Sequence, residues 1–373
     1  MRTHRVAVIP GDGIGPEVVP EAVAALRSVA ETSGDFAVDV AMLDWGSERY
    51  LVEGSLMPDG WADTLSSFDA VLVGPVGDPR VPDDVTVWGL ILAIRQRFAQ
   101  YVNLRPIRLL PGVPCPLRSA GPEDVDMVFV RENTEGEYSG AGGRVHRGRP
   151  LEVAVESTVF TREGVERIVR YAFEYARSHD RRKVTSITKS NAQRHAMVMW
   201  DETFAAVAAE YPDIAHDSRL VDAAAARLVS DPASFDVVVA SNLLGDILTD
   251  LGAAIAGSLG IAPSANIDPT GEHPGVFQAI HGSAPDIAGR GIANPVGEIW
   301  SVALMLDALG ERRAARGLEA AIAATLADPA TRTTDLGGRA DTAGSGAAVR
   351  AALPDAIREA AAASEVAYGS RGA

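Results

Sequence analysis

The sequence predicts an α/β protein built on a mostly parallel sheet covered by helices on both faces, and three observations carry that expectation. Short β-branched runs alternate with longer stretches of helical periodicity along the chain, the pattern of parallel strands joined by crossover helices. The 373 residues, 47% apolar and 23% charged, suffice for one large domain or two smaller ones with a sizeable core. No fixed-period repeat and no linker rich in Pro, Gly or Ser divides the pattern, so two domains, if present, interleave.

The first strand is expected from Arg5 to Pro10, followed by a glycine turn and a helix from Gly15 to Ala30. The turn Gly11-Asp12-Gly13-Ile14-Gly15-Pro16-Glu17 invites comparison with the dinucleotide-binding fingerprint. That fingerprint requires glycine at its first, third and sixth positions, and the sixth here is Pro16. Proline instead suits the first turn of a helix, where no amide donor is needed. Further strands are expected at Ala70–Gly74, Val125–Arg131, Val184–Lys189 ahead of a Met- and Trp-bearing helix, and Asp236–Ser241. From about Gly310, alanine-rich helices frame a loop from Thr333 to Gly346, and Tyr368–Ala373 reads as a frayed end.

Charge and composition exclude several functions. Fifty acidic against 34 basic residues give a net charge of −16, which opposes sequence-independent binding to nucleic acid or anionic lipid. Cys115 is the sole cysteine, so one chain makes no disulfide, CxxC pair or thiolate zinc site, and a reducing compartment fits. No apolar run approaches the roughly 18 to 20 residues of a membrane span, and a cytoplasmic location is expected. The P-loop lysine, the G-x-S-x-G elbow and the H-x-x-x-H zinc pair are all missing.

What remains points to small anions and metal cations. Among the 34 basic residues only Lys183 and Lys189 are lysines. Lysine, unlike arginine, loses its proton when desolvated or crowded by cations, so a retained lysine is a candidate base. Lys183 sits in the run Arg181-Arg182-Lys183 and reads as a solvated surface residue; Lys189, after an apolar strand, is the candidate. In Ser241-Asn242-Leu243-Leu244-Gly245-Asp246-Ile247-Leu248-Thr249-Asp250, a helix starting near Asp246 would place Asp246 and Asp250 on one face. Such a pair suits Mg²⁺ or Mn²⁺; equally, Asp246 could cap the helix and Asp250 be solvated. Asp222, interrupting an apolar stretch, is a possible third ligand. Arg95, Arg105 and Arg131 each stand in apolar surroundings. Each could snorkel to the surface, or together they could grip a substrate with two carboxylates through the guanidinium fork.

Taken together these residues resemble the β-decarboxylating dehydrogenases, the isocitrate and 3-isopropylmalate dehydrogenase superfamily. The resemblance runs from the Gly11–Glu17 loop to Thr334-Asp335-Leu336-Gly337-Gly338, anchored by Asn103-Leu104-Arg105-Pro106, Arg131-Glu132-Asn133-Thr134-Glu135-Gly136-Glu137-Tyr138, Lys189, Asn242–Asp250 and His281-Gly282-Ser283-Ala284-Pro285-Asp286-Ile287-Ala288-Gly289. Within it, Val87-Trp88-Gly89-Leu90-Ile91-Leu92-Ala93-Ile94-Arg95, Gln100–Asn103, Thr188–Asn191 and Met199–Glu202 look most like the D-malate/tartrate dehydrogenase branch.

The resemblance implies an isopropylmalate dehydrogenase-like fold of two interleaved domains around mixed sheets, with its own nicotinamide-binding mode: residues 1–102 and 257–373 binding cofactor, 103–256 dimerising and holding metal. It implies a homodimer with shared active sites. Arg95, Arg105 and Arg131 would grip the substrate carboxylates. Asp246 and Asp250 would hold Mg²⁺ or Mn²⁺ together with Asp222 from the partner chain. Lys189, also from the partner, would take the hydroxyl proton, and Tyr138 would protonate the enolate left by loss of CO₂. NAD would lie against His281, Gly282, Ser283, Ala284, Asp286 and Asn294, with Asp286 favouring a ribose 2′-hydroxyl over a 2′-phosphate. Trp88 and Ile91, seven and four residues before Arg95, share its face in an α-helix. They would face the substituent at C3, exclude an isopropyl group and offer no donor to a third carboxylate; alternatively Trp88 turns into the core or a dimer contact. One departure stands out: many relatives read Phe-Glu-Pro before the adenosine loop, whereas this chain has Phe277-Gln278-Ala279, which leaves room for a specialised-pathway homologue. The alternatives are a 3-isopropylmalate dehydrogenase, an isocitrate or homoisocitrate enzyme, and a non-catalytic subunit.

Overall fold

The computed structural model describes residues 1–369. Its strands are β1 (Arg2–Ile9), β2 (Phe36–Met42), β3 (Ala70–Val73), β4 (Val102–Arg108), β5 (Asp126–Glu132), β6 (Gly136–Val145), β7 (Val153–Val159), β8 (Lys183–Thr188), β9 (Ala215–Leu220), β10 (Val237–Ala240), β11 (Pro263–Ile267) and β12 (Gly275–Ala279). Ten of them form one sheet in the order β2-β1-β3-β12-β11-β4-β5-β10-β8-β9. The outer four on each side are parallel, β2-β1-β3-β12 and β5-β10-β8-β9. The three pairings at the centre, β12-β11, β11-β4 and β4-β5, are antiparallel, so the two parallel blocks run in opposite directions.

Burial explains why β3 and β10 were legible whereas the edge strands β2 and β9, largely uncovered, were not. β3 (Ala-Val-Leu-Val) and β10 (Val-Val-Val-Ala) are apolar throughout and buried throughout, as strands covered on both faces must be. Each buried Val or Leu among them stabilises by roughly 1.5–3 kcal/mol. The central strands β4 and β11 are buried too, yet carry Asn103, Arg105 and Asn266 inward; these polar residues hide them from an apolar count. The helix expected from Gly15 to Ala30 spans Gly15–Ser33 with proline in its first turn and ends at Gly34, φ +68°. The loop expected over Thr333–Gly346 is shorter, because the last helix already begins at Thr342. Of the expected frayed end, Tyr368 and Gly369 belong to that helix, and 370–373 lie outside the described residues.

Two features depart from the main sheet. β6 and β7 pair only with each other, and this ribbon leaves Val145, Val153, Val155 and Val159 in water. Between Asp83 and Arg97 the helix is interrupted by a π segment, Val87–Leu92. Gly89 admits Leu56 there: a Cβ would come within 2.6 Å of the Leu56 Cδ1. Among the described residues no helix is long and apolar enough to cross a membrane.

Candidate active site

Strand ends and one helix assemble the arginines. Arg105 points inward from β4 and Arg131 from the end of β5, where antiparallel register pairs Asn103 with Arg131. Arg95 comes from the last turn of the helix before β4. Arg95, Arg105 and Arg131 are buried, at 6%, 5% and 2% exposure, so the snorkelling alternative is overturned: their surroundings are the sheet and the helix Asn242–Ile255, not water. That helix begins at Asn242, four residues before the expected start. Its end is held from another strand, Glu137 of β6 accepting from Ser241 Oγ (2.9 Å) and from the Leu243 amide (3.1 Å). Asp246 therefore lies inside the helix and does not cap it.

Asp246 Oδ1 meets Arg131 Nη1 at 2.5 Å and Arg105 Nη2 at 3.2 Å, and its Oδ2 accepts from the Tyr138 hydroxyl at 3.4 Å. Gly245 makes this possible, since a Cβ there would come within 2.8 Å of Arg131 Cγ. The remaining edges of Arg131 and Arg105 are clamped. Arg131 donates to Asn242 Oδ1 from Nη2 (2.7 Å), and Arg105 donates to Asn103 Oδ1 (2.7 Å) and Thr249 Oγ1 (2.6 Å). Arg95 Nε is buried without a hydrogen-bond partner among the described residues. Asn103, Asn242, Thr249, Glu137 and Gly245 all fall in motifs quoted above, yet nothing local in the sequence marks them as clamps.

The charges do not balance. Burial first, then Arg131 and Arg105, push the Arg95 guanidinium well below its ordinary value, and burial with Arg131 pulls Arg105 down to about 10. Desolvation would raise Asp246, but Arg131, Arg105 and Arg95 outweigh it and hold the carboxyl below its usual range. Three buried cations beside the carboxylate of Asp246, with Asp250 acting on Arg105 and Arg131 without an ion pair, are short of anionic partners. Asp250 is raised by desolvation and by Asp246 against the pull of Arg105. Tyr138 is raised by desolvation and by Asp246, so its phenol keeps its proton at neutral pH.

Two other groups stand apart, with no hydrogen bond or ion pair among the described residues joining them to the arginines. Lys189 follows β8 and Asp222 opens the helix after β9, and Nζ meets Oδ1 at 2.9 Å. Lys183, taken as solvated, bonds Asp217 (3.0 Å) and the Ser234 carbonyl (3.1 Å). Among the described residues no three acidic, His or Cys side chains gather closely enough to hold a metal: Asp246 and Asp250 supply two carboxylates and Asp222 stands elsewhere.

The second group is the glycine loops. The Ile14 amide bonds the Ser283 carbonyl at 2.9 Å, and a Cβ on Gly13, φ +58°, would lie 2.0 Å from that oxygen. Asp12 accepts from Ser47 and from the Gly77 amide, and Glu17 accepts from the Gly289 and Gly291 amides at 2.5 and 2.7 Å. Gly11–Gly15 is thus a turn that packs against the 281–291 loop. His281 has its Nε2 buried without a hydrogen-bond partner among the described residues, and desolvation lowers the ring below its ordinary value. Gly282 and Asp286 are exposed, and Ala284 adopts φ +43°. Asn294 bonds Asp335 Oδ2 (3.0 Å) and the Val296 amide (3.0 Å).

The π segment alters the expected face of Trp88 and Ile91, because a turn there closes i→i+5. Ile91 packs against the core formed by Leu90 and Ile94. Trp88 is 41% exposed, and a Cβ on Gly140, two residues beyond Tyr138, would lie 2.8 Å from its indole.

The sequence profile of the isocitrate/isopropylmalate dehydrogenases matches residues 5–350. A probable tartrate dehydrogenase/decarboxylase of Agrobacterium vitis is 52% identical over 92% of this chain and 95% of the relative. The decarboxylating D-malate dehydrogenase of Escherichia coli is 51% identical over 92% and 96%. Among solved structures, an isocitrate dehydrogenase from Methylococcus capsulatus superposes with a TM-score of 0.84 at 36% identity, covering 94% of this chain and 99% of that one.

Proposed function

The chain belongs to the isocitrate/isopropylmalate dehydrogenase family, and we propose that it oxidises a (2R)-2-hydroxy di-acid of the D-malate or tartrate type with NAD and releases the β-carboxyl as CO₂. The observation that carries this reading is the buried excess of cations at Arg95, Arg105 and Arg131, which a dianionic substrate offsets.

The residues fit the two groups the reaction needs. The unpartnered Nε2 of His281 and the close loops at Gly13 and Ser283 suit a nicotinamide cofactor, held by His281, Gly282, Ser283, Ala284, Asp286 and Asn294, which supplies the hydride acceptor. Asp246 and Asp250 give an all-oxygen donor set for Mg²⁺ or Mn²⁺, completed by the partner's Asp222; the bound cation supplies Lewis acidity. The three arginines orient the carboxylates so that the C2 hydrogen is exposed. Lys189 of the partner subunit accepts the C2 hydroxyl proton as the C2–H bond breaks. The C3–carboxyl bond then breaks with loss of CO₂, and Tyr138, protonated at neutral pH, donates to the enolate carbon.

A homodimer follows from the same reading. Lys189 and Asp222 reach each other and nothing in their own arginine group, and the ribbon β6–β7 exposes apolar side chains beside Tyr138. A reducing, cytoplasmic setting suits the lone Cys115. The test is a comparison of D-malate, tartrate, 3-isopropylmalate and isocitrate as substrates with NAD and Mn²⁺. NADH formation fastest with a four-carbon di-acid supports the reading; preference for 3-isopropylmalate or isocitrate refutes it.

A further inference from the structure

Beneath the arginines lies a buried carboxamide network. Arginine only donates, so the Asn103 atom 2.7 Å from Arg105 Nε is the oxygen. Asn103 must then turn its Nδ2 to the neighbouring strand, where it meets Asn266 Oδ1 at 2.9 Å. With its oxygen so committed, Asn266 sends its own Nδ2 to the Val276 carbonyl at 3.2 Å. The same Asn266 oxygen accepts from Asn133 Nδ2 at 3.1 Å, and Asn133 also donates to the Gln100 carbonyl at 2.9 Å. Asn103 and Asn266 have no exposure and Asn133 only 1%. Sheet register sets Asn266 directly opposite Asn103, and Asn103 opposite Arg131.

We propose that Asn266 is a positioning residue for the substrate-binding arginines: through Asn103 it fixes the guanidinium of Arg105, and through Asn133 it ties the turn after Arg131 to β11. This rests on reading Arg105 as a carboxylate-binding residue. One oxygen serves two amide donors at the central antiparallel strands. Reversing Asn103 or Asn266 would bring donor against donor, and reversing Asn133 would bring acceptor against acceptor, at buried positions where an unmade hydrogen bond is costly. The arrangement therefore has one orientation, dictated by Arg105 and sustained by Asn266, and Arg105 is held ready before substrate arrives.

The test uses the full-length protein with Asn266→Ala, Asn266→Asp, Asn103→Ala and the Asn103→Ala/Asn266→Ala double variant. Asn266→Ala is expected to raise the D-malate KM by about 10- to 100-fold while the NAD KM stays within about twofold. Asn266→Asp, which keeps an acceptor for both amides, recovers most of the loss. The double variant loses less than the sum of the two single losses, because the part of the effect that passes through Asn103 is common to both. An unchanged D-malate KM in Asn266→Ala, equal rises in both KM values, or additive losses in the double variant would overturn the proposal. If the wild type oxidises neither D-malate nor tartrate, the proposed substrate fails by itself, and positioning is read from malonate binding. A malonate-induced rise in melting temperature that disappears in Asn266→Ala supports positioning, and one that persists overturns it.

Discussion

Glu298 offers a test of the packing behind the cofactor loop that needs no substrate. It is fully buried in the helix Val296–Ala308, its Oε2 accepts from the Ala279 amide at 2.9 Å, and its Oε1 has no partner among the described residues. Burial, opposed only by that amide, pushes the carboxyl from 4.5 up to about 8. Below pH 4.5 the group is protonated whether folded or unfolded, so stability is at its fullest. Between pH 4.5 and 8 the unfolded chain ionises while the folded one holds its proton. Stability therefore falls by about 1.4 kcal/mol per pH unit, up to about 5 kcal/mol, and levels off above 8. Glu298→Gln keeps an acceptor for Ala279 and does not titrate. Guanidinium unfolding of both proteins at pH 5 and 7.5 should show the variant gaining about 3 kcal/mol on the wild type over that interval. Any cost of the substituted amide is the same at both pH values and cancels. A difference between the proteins constant to within about 0.5 kcal/mol would refute the reasoning.

Lys189→Arg preserves the ion pair with Asp222 but removes a base able to titrate, and turnover should fall by about 100-fold or more with unfolding unchanged; near-normal kcat would exclude Lys189 as the proton acceptor. Asp286, exposed on the loop after His281, should repel a 2′-phosphate, so kcat/KM should favour NAD over NADP, and a measured preference for NADP would contradict that role. Trp88→Ala should move preference toward 3-isopropylmalate by about 10-fold or more, the scale of a few buried methylenes; an unmoved ratio would mean that the indole serves its contact beside Gly140 alone.

How much of this was legible depends on the range of the interaction. The three arginines and Asp246 stood out because charges within apolar runs must find partners, and the structure brings them together. The parallel strands β1, β3, β5, β8 and β10 were legible because their buried side chains are mostly apolar or β-branched; β2 and β9 at the sheet edges, largely uncovered, and the short β12 were not. The central antiparallel strands were not, since Asn103 and Asn266 satisfy each other across the sheet and only their pairing makes them core residues. The start of the helix at Asn242 was missed because its cap, Glu137, comes from β6. Periodicity placed Trp88 and Ile91 on one α-helical face, but it does not register a π segment created by the fit of Leu56 against Gly89. The pairing of Lys189 with Asp222 depends on the register of β8 with β9, which neither residue reveals alone.

The central claim is that the buried arginines hold a hydroxy di-acid for oxidation coupled to loss of its β-carboxyl. Its most direct measurement is the stoichiometry of NADH and CO₂ formed from D-malate labelled with carbon-13 in the carboxyl at C4. The account predicts one labelled CO₂ for each NADH; NADH without labelled CO₂, or no NADH at saturating D-malate, would contradict it.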